Sequence, residues 1–417
     1  MFGLLIFFIC IGGACNTRTA ETTAVQAADQ IPSSSDREID SALKLVAKSP
    51  DSTLGYNQLA VIYIKKARQT GDFNLNEKAE AAVKRALEIA PGDVPSRKLQ
   101  ASLSLTFHRF TEALELGMKL QHEFPKDPIV YGVLTDANAE LGNYVEAVAA
   151  AQQMVDLKPN SSSYARVAHL RSLHGDHAGA VEMFTLAARI TDPQDKEAQS
   201  WCLVQLADEL WKNGKYPEAE KVYDEALQNF PEYFLALAGK GRIRAAQGDL
   251  ETAERILVNA QNRVPNPETI VLLGDIYTVR GNAEKAANQY DLVEVVEQKL
   301  GVPEIRLALL WADRDVKLDE ALGIATNAHA ARKDIYTADV LAWCLYKKNR
   351  LAEAKAAIDE AMRLKTNDAR IRYHAGMIEL ALGNEKEARV LLQMALKTNP
   401  VFDLLQAENA RAALSKL

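Results

Sequence analysis

An alanine recurs through this chain at an almost constant interval, and this period constrains the fold more than any other feature. Between residues 79 and 388 the interval is 33–35 residues, with one exception of 39. The positions are Ala79, Ala113, Ala147, Ala180, Ala219, Ala253, Ala286, Ala321, Ala354 and Ala388. Segments that repeat at this length bury their apolar faces only against their neighbours. Although 417 residues would suffice for two or three separate domains, the period predicts one repeat array.

Other residues keep the same register. A second small residue, usually alanine, lies seven positions after the first, and a bulky residue such as Tyr223 or Tyr290 lies four positions after it. The glycines five before are Gly142, Gly175, Gly214, Gly248, Gly281 and Gly383; the prolines twelve after are Pro91, Pro125, Pro159, Pro231, Pro265 and Pro400. Glycine ends a helix in the left-handed conformation, and proline cannot continue one. Each repeat is therefore predicted to be a helix, a turn and a second helix whose small residues allow close packing.

Polar residues after the turn glycine are predicted to cap the second helix. They are Asn143, Asp249, Asn282 and Asn384. Asparagine and aspartate side chains accept hydrogen bonds from free amides at a helix start. Glu146 and Glu387 stand three positions further on and complete predicted capping boxes. In the second repeat, His108 takes the place of the turn glycine.

On these positions the chain resembles the tetratricopeptide repeat (TPR) family over residues 51–400, with about ten repeats. The resemblance implies an all-α fold, a right-handed superhelical solenoid of helix-turn-helix repeats. Residues 37–50 are predicted to be an N-terminal half-repeat helix. Residues 401–417 are predicted to be a capping helix, which a solenoid needs to cover its last apolar face.

The N-terminal sequence MFGLLIFFICIGGAC indicates targeting rather than a folded element. About ten apolar residues are too few to span a bilayer, and small residues precede Cys15. The segment resembles a bacterial lipoprotein signal, with residues 1–14 cleaved and Cys15 lipidated. Gly12, where such signals usually carry leucine, and the missing basic residue depart from that pattern, and a simple secretory signal or short anchor is the alternative. Residues 15–36 are predicted to be a flexible tether.

No stretch of the sequence carries a recognisable catalytic or cofactor motif. The patterns of phosphate loops, dinucleotide folds and hydrolase elbows are missing, so neither catalytic residues nor a cofactor are predicted. The motif HGDH at 174–177 is read as a turn rather than a metal site. A net charge of −7 disfavours nucleic-acid binding. Cys202 and Cys344 lie too far apart along a repeat array to pair, and are predicted to be buried apolar residues.

In TPR arrays the first helices face a concave groove, so the resemblance places candidate partner-binding residues there. They are Trp201, Gln205, Asp208, Trp211, Arg242, Asp275, Arg306, Trp343, Tyr346, Tyr373 and His374. Aromatic and arginine side chains are the types that dominate protein interfaces. The alternative for the three tryptophans is that they pack between helices. Replacing Trp201 and Arg242 together is expected to weaken partner binding without unfolding.

These features favour a non-enzymatic scaffold or adaptor that binds a protein or peptide partner in the bacterial cell envelope, lipid-anchored and facing the periplasm or exterior. One alternative is a pilotin-like assembly factor for pili, secretion or outer-membrane machinery. Another is a soluble adaptor, secreted or cytoplasmic, or an accessory subunit of an enzyme complex. An enzyme that uses the groove as its active site is a further rival, against which the missing catalytic motifs count.

Overall fold

The computed structural model describes residues 34–299 and 305–417. Over these ranges the chain forms α-helices and no β-strand, so the predicted all-α fold is confirmed. The boundary between two compact units falls between Glu112 and Ala113. We call them the N-terminal unit (described residues 34–112) and the C-terminal unit (described residues 113–299 and 305–417). None of the described helices combines the length and hydropathy that a membrane span requires.

The N-terminal unit contains the first four helices and the start of the fifth. They are α1 (Ser34–Lys48), α2 (Thr53–Thr70), α3 (Asn74–Ile89), α4 (Val94–Thr106) and α5 (Phe110–Glu123), so α1 begins within the segment predicted as a tether. Asp93 caps α4 by accepting from the Ser96 amide at 2.9 Å. The same carboxylate accepts from Asn57 of α2 at 2.8 Å. One capping residue therefore also joins two neighbouring first helices.

The C-terminal unit contains the rest of the array as successive helix pairs. Its first helices are α6 (Pro128–Leu141), α8 (Ser161–Leu173), α10 (Lys196–Lys212), α12 (Phe234–Ala246), α14 (Pro267–Val279), α16 (Ile305–Asp313), α18 (Ile335–Lys347) and α20 (Ala369–Ala381). Its second helices are α7 (Tyr144–Leu157), α9 (His177–Ile190), α11 (Tyr216–Asn229), α13 (Leu250–Arg263), α15 (Ala283–Lys299), α17 (Leu318–Ala331), α19 (Leu351–Ala361) and α21 (Glu385–Thr398). Helix α22 (Gln406–Leu414) follows the last pair. Each first helix packs on its own second helix, and each helix pair contacts the next, which makes a solenoid.

The turn between paired helices has the backbone conformation that the glycines predicted. All six register glycines have φ between +70° and +83°. His108 and Asn349 occupy the equivalent place without glycine, and they too have positive φ, at 56° and 58°. The same turn geometry therefore forms with or without glycine at this position, and glycine adopts it at least cost.

The predicted caps are confirmed in part. Asp249 accepts from the Thr252 amide at 3.2 Å, and Asn282 accepts from the Lys285 amide at 3.1 Å. The predictions for Asn143 and Asn384 are wrong, and so are the capping boxes built on them. Their amides donate instead to the carboxamide of Asn138 at 3.2 Å and to the carboxylate of Glu379 at 2.7 Å. An acceptor five residues back on the first helix competes successfully for each side chain.

Small and bulky residues meet as the spacing predicted. A Cβ added to Gly274 would lie 2.5 Å from the Tyr290 ring, and one added to Gly241 would lie 2.5 Å from Leu257. The first helix can cross its partner closely only because these side chains are missing. Cys202 and Cys344 are buried and form no disulfide, as predicted.

First and second helices differ in how much of their surface is covered. Second helices bury a single stripe, which in α21 consists of Ala388, Leu392 and Ala395. First helices are buried around most of their circumference, as α18 and α20 show. A helix that buries one stripe lies at a surface, whereas one buried all round lies inside. In the C-terminal unit the first helices are therefore internal.

The C-terminal unit also makes contacts that a simple stack of neighbours would not make. Glu140 pairs with Arg332 at 2.9 Å, and the Tyr144 hydroxyl accepts from the Ile335 amide at 2.9 Å. These residues lie 191–192 positions apart in the sequence. The turn of the third repeat thus contacts the connection that follows the eighth repeat.

The next two turns repeat this arrangement. Asn367 donates to the Gly175 carbonyl at 2.7 Å, and Asn399 donates to the Trp211 carbonyl at 2.8 Å. We call these three contacts the clasp. It comprises Glu140, Gly142, Tyr144, Gly175, Trp211, Gly214 and Tyr216 on one side and Arg332, Lys333, Ile335, Asn367, Asn399 and Val401 on the other. An apolar cluster containing Leu170, Leu173, Ile335 and Ile371 runs beneath it. The clasp joins repeats 3–5 to the ends of repeats 8–10.

Candidate partner-binding site

The eleven candidate binding residues all lie on first helices of the C-terminal unit. Six of them are buried: Asp208, Trp211, Asp275, Trp343, Tyr373 and His374. Five are partly exposed: Trp201, Gln205, Arg242, Arg306 and Tyr346. Buried side chains contact a partner only if the protein rearranges. Partner binding by these residues stays a prediction, and only the partly exposed ones can contact a partner without rearrangement.

Asp208 and Arg242 form a polar group inside the solenoid. Arg242 of α12 pairs with Asp208 of α10, and its Nη2 also donates to the Tyr223 hydroxyl at 2.8 Å. Tyr223 in turn donates to Asp208. Burial raises the pKa of Asp208, and the charge of Arg242 opposes that rise. The guanidinium carbon lies 4.1 Å from the centre of the Trp211 ring, which adds a cation–π contact. Arg242 therefore makes structural contacts inside the solenoid, so we expect its replacement to cost stability, and its role in partner binding stays a prediction.

Asp275 repeats half of this arrangement. The Tyr290 hydroxyl donates to Asp275 at 2.8 Å, as the Tyr223 hydroxyl does to Asp208 two repeats earlier. Arg242 stands 34 positions after Asp208, and the residue 34 positions after Asp275 is Leu309. The next repeat instead places the guanidinium of Arg314 over the Tyr290 ring, 3.6 Å from its centre. Burial, followed by the charge of Asp403, raises the pKa of Asp275 well above its ordinary value. Burial therefore favours the neutral form of this carboxyl.

Asp313 lies close to Asp275 and accepts from the indole nitrogen of Trp343 at 2.8 Å. Burial and the charge of Asp403 raise the pKa of Asp313 to about 6, although Arg370 and His374 act in the opposite direction. The C-terminal unit therefore contains an internal carboxyl that titrates near neutral pH.

We expect Asp313→Asn to change how stability depends on pH. The folded chain holds the Asp313 proton up to a pH of about 6, whereas an unfolded chain releases it near 4. Because the folded state binds more protons between these values, the free energy of unfolding falls as the pH rises from 4 to 6. Asparagine removes that contribution, on the order of 3 kcal/mol, while still accepting from Trp343. Urea unfolding at pH 4, 5, 6 and 7 measures it, and parallel curves for wild type and variant would contradict the assignment.

Aromatic rings make up the interior at the C-terminal repeats. The Trp343 ring stacks on His374 with centroids 4.2 Å apart and on Tyr346 at 4.8 Å. The Nδ1 atom of His374 lies 2.8 Å from Asp339, and the Tyr373 hydroxyl donates to Gln406 at 2.9 Å. The structure therefore shows Trp343 packed between helices, which was the alternative to partner binding. Tyr346 stays partly exposed at the edge of this stack.

An open stripe remains on α10. Trp201 and Gln205 are four residues apart and share one face of a helix whose other residues are mostly buried. Within the part of the chain that the structure describes, neither side chain is used for a hydrogen bond or ion pair. Arg306 differs, because its Nε atom pairs with the buried carboxylate of Glu297 at 3.2 Å. Trp201 and Gln205 are therefore the candidate residues that the fold leaves available.

The motif HGDH forms a turn, as interpreted from the sequence. Asp176 caps α9 by accepting from the Gly179 amide at 2.9 Å, and His177 contacts Glu209. Burial alone would raise the pKa of Glu209, but Lys212, His177 and Ser172 together lower it to about 2. Across residues 34–299 and 305–417, no group of three His, Cys, Asp or Glu side chains is arranged to hold a metal ion.

The clasp residues were missed by sequence reasoning, although the sequence holds a signal for them. Two positions after the turn glycine stand Tyr144, His177 and Tyr216 in repeats 3–5. The same position holds Leu250, Ala283 and Glu385 in repeats 6, 7 and 10. Tyr144 and Tyr216 both accept a backbone amide of the clasp, from Ile335 and Val401 respectively. A tyrosine or histidine at this position therefore occurs in the three successive repeats whose turns take part in the clasp.

The comparison with protein-family models agrees with the repeats seen in the structure. The family model for the tetratricopeptide repeat matches residues 204–263 and 340–401. No curated protein sequence matches this chain at a significant level. Among solved structures, the chain is similar to human IFIT1 in a dimer with PPP-AAAA, with 15% identity and a TM-score of 0.47 over 87% of this chain and 94% of that one.

Two further solved structures are similar to this chain. PilW, described as a widely conserved type IV pilus biogenesis factor, has 19% identity and a TM-score of 0.41 over 48% of this chain and 91% of that one. Yeast Tom70 has 13% identity and a TM-score of 0.41 over 92% of each chain. The repeated sequence register, the stacked helix pairs and the two segments matched by the family model show that this chain contains tetratricopeptide repeats.

Proposed function

We propose that this protein is a non-enzymatic scaffold that binds a partner protein or peptide through the open stripe of α10, at the bacterial cell envelope. The observation that carries the proposal is the pair Trp201 and Gln205, which are partly exposed on an otherwise internal helix. A large aromatic side chain beside an amide that is free to hydrogen-bond is typical of interface hot spots. Arg306 and Tyr346, also partly exposed on first helices, extend the candidate surface.

The position in the cell rests on the N-terminal sequence. Cys15 and the preceding signal-like segment lie outside the described residues. A lipid on Cys15 would confine the solenoid to a membrane surface and let it gather partners there. Assembly of pili, secretion or outer-membrane machinery is one setting for such a scaffold, and the identity of the partner would separate it from a general adaptor.

We expect Trp201→Ala to reduce partner capture at least tenfold, since truncating an aromatic hot spot costs about 2 kcal/mol or more. The measurement is crosslinking in native membranes, followed by affinity purification of the tagged full-length chain. Val145→Ala is the control, because Val145 is 79% exposed on α7, a second helix. Equal capture by wild type and Trp201→Ala would overturn the assignment to α10, and so would loss of the partner from Val145→Ala.

Arg242 is left unchanged in this experiment because its loss would disturb the fold. A Cys15→Ser variant in the same experiment tests the anchor. We expect the wild-type chain in the membrane fraction and the variant in the soluble fraction. Membrane association that survives the substitution would rule out lipidation at Cys15, while leaving the test of Trp201 intact.

A further inference from the structure

The clasp consists of three similar contacts, each between a turn and the connection that follows the repeat five further along the chain. Three successive turns meet three successive connections, at separations of 191–192 residues for the first, 192 for the second and 183–188 for the third. If one contact forms, the rigid stacking of repeats brings the other two into place. The geometry thus favours closing and opening of all three together over independent behaviour.

The repeats do not need the clasp in order to fold locally. Gly142, Gly175 and Gly214 in the clasp have φ of +80°, +77° and +70°. Gly248 and Gly383 have φ of +83° in turns where an added Cβ would meet nothing within 4 Å. The same turn therefore forms with or without a covering connection. Opening the clasp would break its own contacts while each helix pair stays intact.

Most side-chain contacts of the clasp are of a kind that water can replace. They are the ion pair between Glu140 and Arg332 and the hydrogen bonds made by Tyr144, Tyr216, Asn367 and Asn399. When such groups separate, water takes the place of the lost partners, and the net change per contact is small. The apolar cluster beneath favours the closed state. Polar contacts that water can replace, together with an apolar cluster that favours closure, are consistent with a clasp that opens and closes reversibly.

Trp211 connects the clasp to the internal face of the solenoid. Its carbonyl accepts from Asn399 in the clasp, while its ring packs under the guanidinium of Arg242. The side chain is buried in the closed state. A change at the clasp therefore reaches a first helix that also carries Trp201 and Gln205.

We propose that the clasp opens and closes as one unit and that its closed state restricts access to the internal face of the solenoid around Trp211. This inference concerns the chain's own conformation and goes beyond the proposed scaffold function. It can therefore be tested on the chain alone, without any partner.

Hydrogen exchange of the full-length chain tests the first part. The Ile335 amide donates to Tyr144 at one end of the clasp. At the other end, the Val401 amide donates to Tyr216 and to the carboxamide of Asn399, which is itself a clasp residue. Tyr144→Phe removes the acceptor of Ile335 only, and we expect exchange at the distant Val401 to rise about fivefold as well. Tyr277→Phe is the matched control, because this hydroxyl is bonded to Glu254 outside the clasp and the two rings are 6% and 7% exposed. A rise at Ile335 alone, or no rise at either amide, would overturn the single-unit model.

Charge reversal tests the second part. We expect Glu140→Lys and Arg332→Glu each to raise exchange at Val401 and hydroxyl-radical labelling of Trp211 at least tenfold. The double variant restores the ion pair with its charges exchanged, and should return both readings to within about threefold of wild type. Faster exchange without greater labelling of Trp211 would refute the restriction of access. Additive rather than compensating effects in the double variant would refute the ion pair as part of the closure.

Discussion

Replacing Gly142 by alanine is expected to lower the free energy of unfolding by about 3 kcal/mol. Gly142 has φ of +80°, where an L-residue with a Cβ costs about 1–2 kcal/mol. In addition, the new Cβ would lie 2.2 Å from the Lys333 carbonyl oxygen. Because this neighbour is backbone, the connection itself must shift, and such overpacking typically costs about 1–3 kcal/mol. Urea unfolding followed by tryptophan fluorescence measures the loss.

The fluorescence signal is specific, because all four tryptophans lie in the C-terminal unit. Gly383→Ala is the matched control. Gly383 has φ of +83°, and an added Cβ would meet nothing within 4 Å, so only the backbone cost of about 1–2 kcal/mol applies. The difference between the two variants isolates the clasp. If both substitutions reduced stability equally, the contact between Gly142 and Lys333 would not exist in solution.

Arg242→Met is expected to destabilise the chain by about 3–5 kcal/mol. The methionine fills a similar volume but leaves Asp208 inside the solenoid without its cation. Removing one partner of a buried ion pair costs about this much, because the remaining charge stays desolvated. Burial already raises the pKa of Asp208, so the variant should also bind an extra proton on folding. The same tryptophan-monitored unfolding measures the effect, and loss of stability should be smaller at pH 5 than at pH 8.

Two control variants separate this effect from the general loss of a positive charge. Lys240→Met removes a different ion pair, which joins Lys240 of α12 to Asp224 of α11. Because these side chains are 25% and 42% exposed, the expected cost is below about 1 kcal/mol. Asp208→Leu combined with Arg242→Met replaces the buried pair with apolar groups and should recover most of the loss. Equal destabilisation by Lys240→Met and Arg242→Met would show that Asp208 is not desolvated as the structure indicates.

Spacing was a good guide wherever the interacting residues lie in one repeat. The turn glycines, the prolines after the second helices and the close contact of Gly274 with Tyr290 follow from the register alone. Sequence reasoning was weaker where one side chain had two partners within reach. Asn143 could cap α7 or donate to Asn138, and the sequence does not say which acceptor is better placed.

Prediction of the candidate site was less complete, because face and burial are different properties. The family resemblance placed Trp343 and His374 on the internal face of the first helices, where the structure has them. It did not reveal that Trp343 and His374 stack on each other and are closed off from solvent. The surroundings of a side chain depend on which residues the next repeat supplies. For Asp208 that repeat supplies Arg242, whereas the residue 34 positions after Asp275 is Leu309.

The helix pairs, their turns and their order were legible in the sequence because each depends on contacts within about one repeat. The clasp was not, since Glu140 and Arg332 are 192 residues apart. Whether they meet depends on small angles between successive repeats that add up over five of them, and no residue spacing encodes their sum. Only the tertiary structure shows that the sum closes the C-terminal unit on itself, and with that closure it decides which internal side chains remain open to a partner.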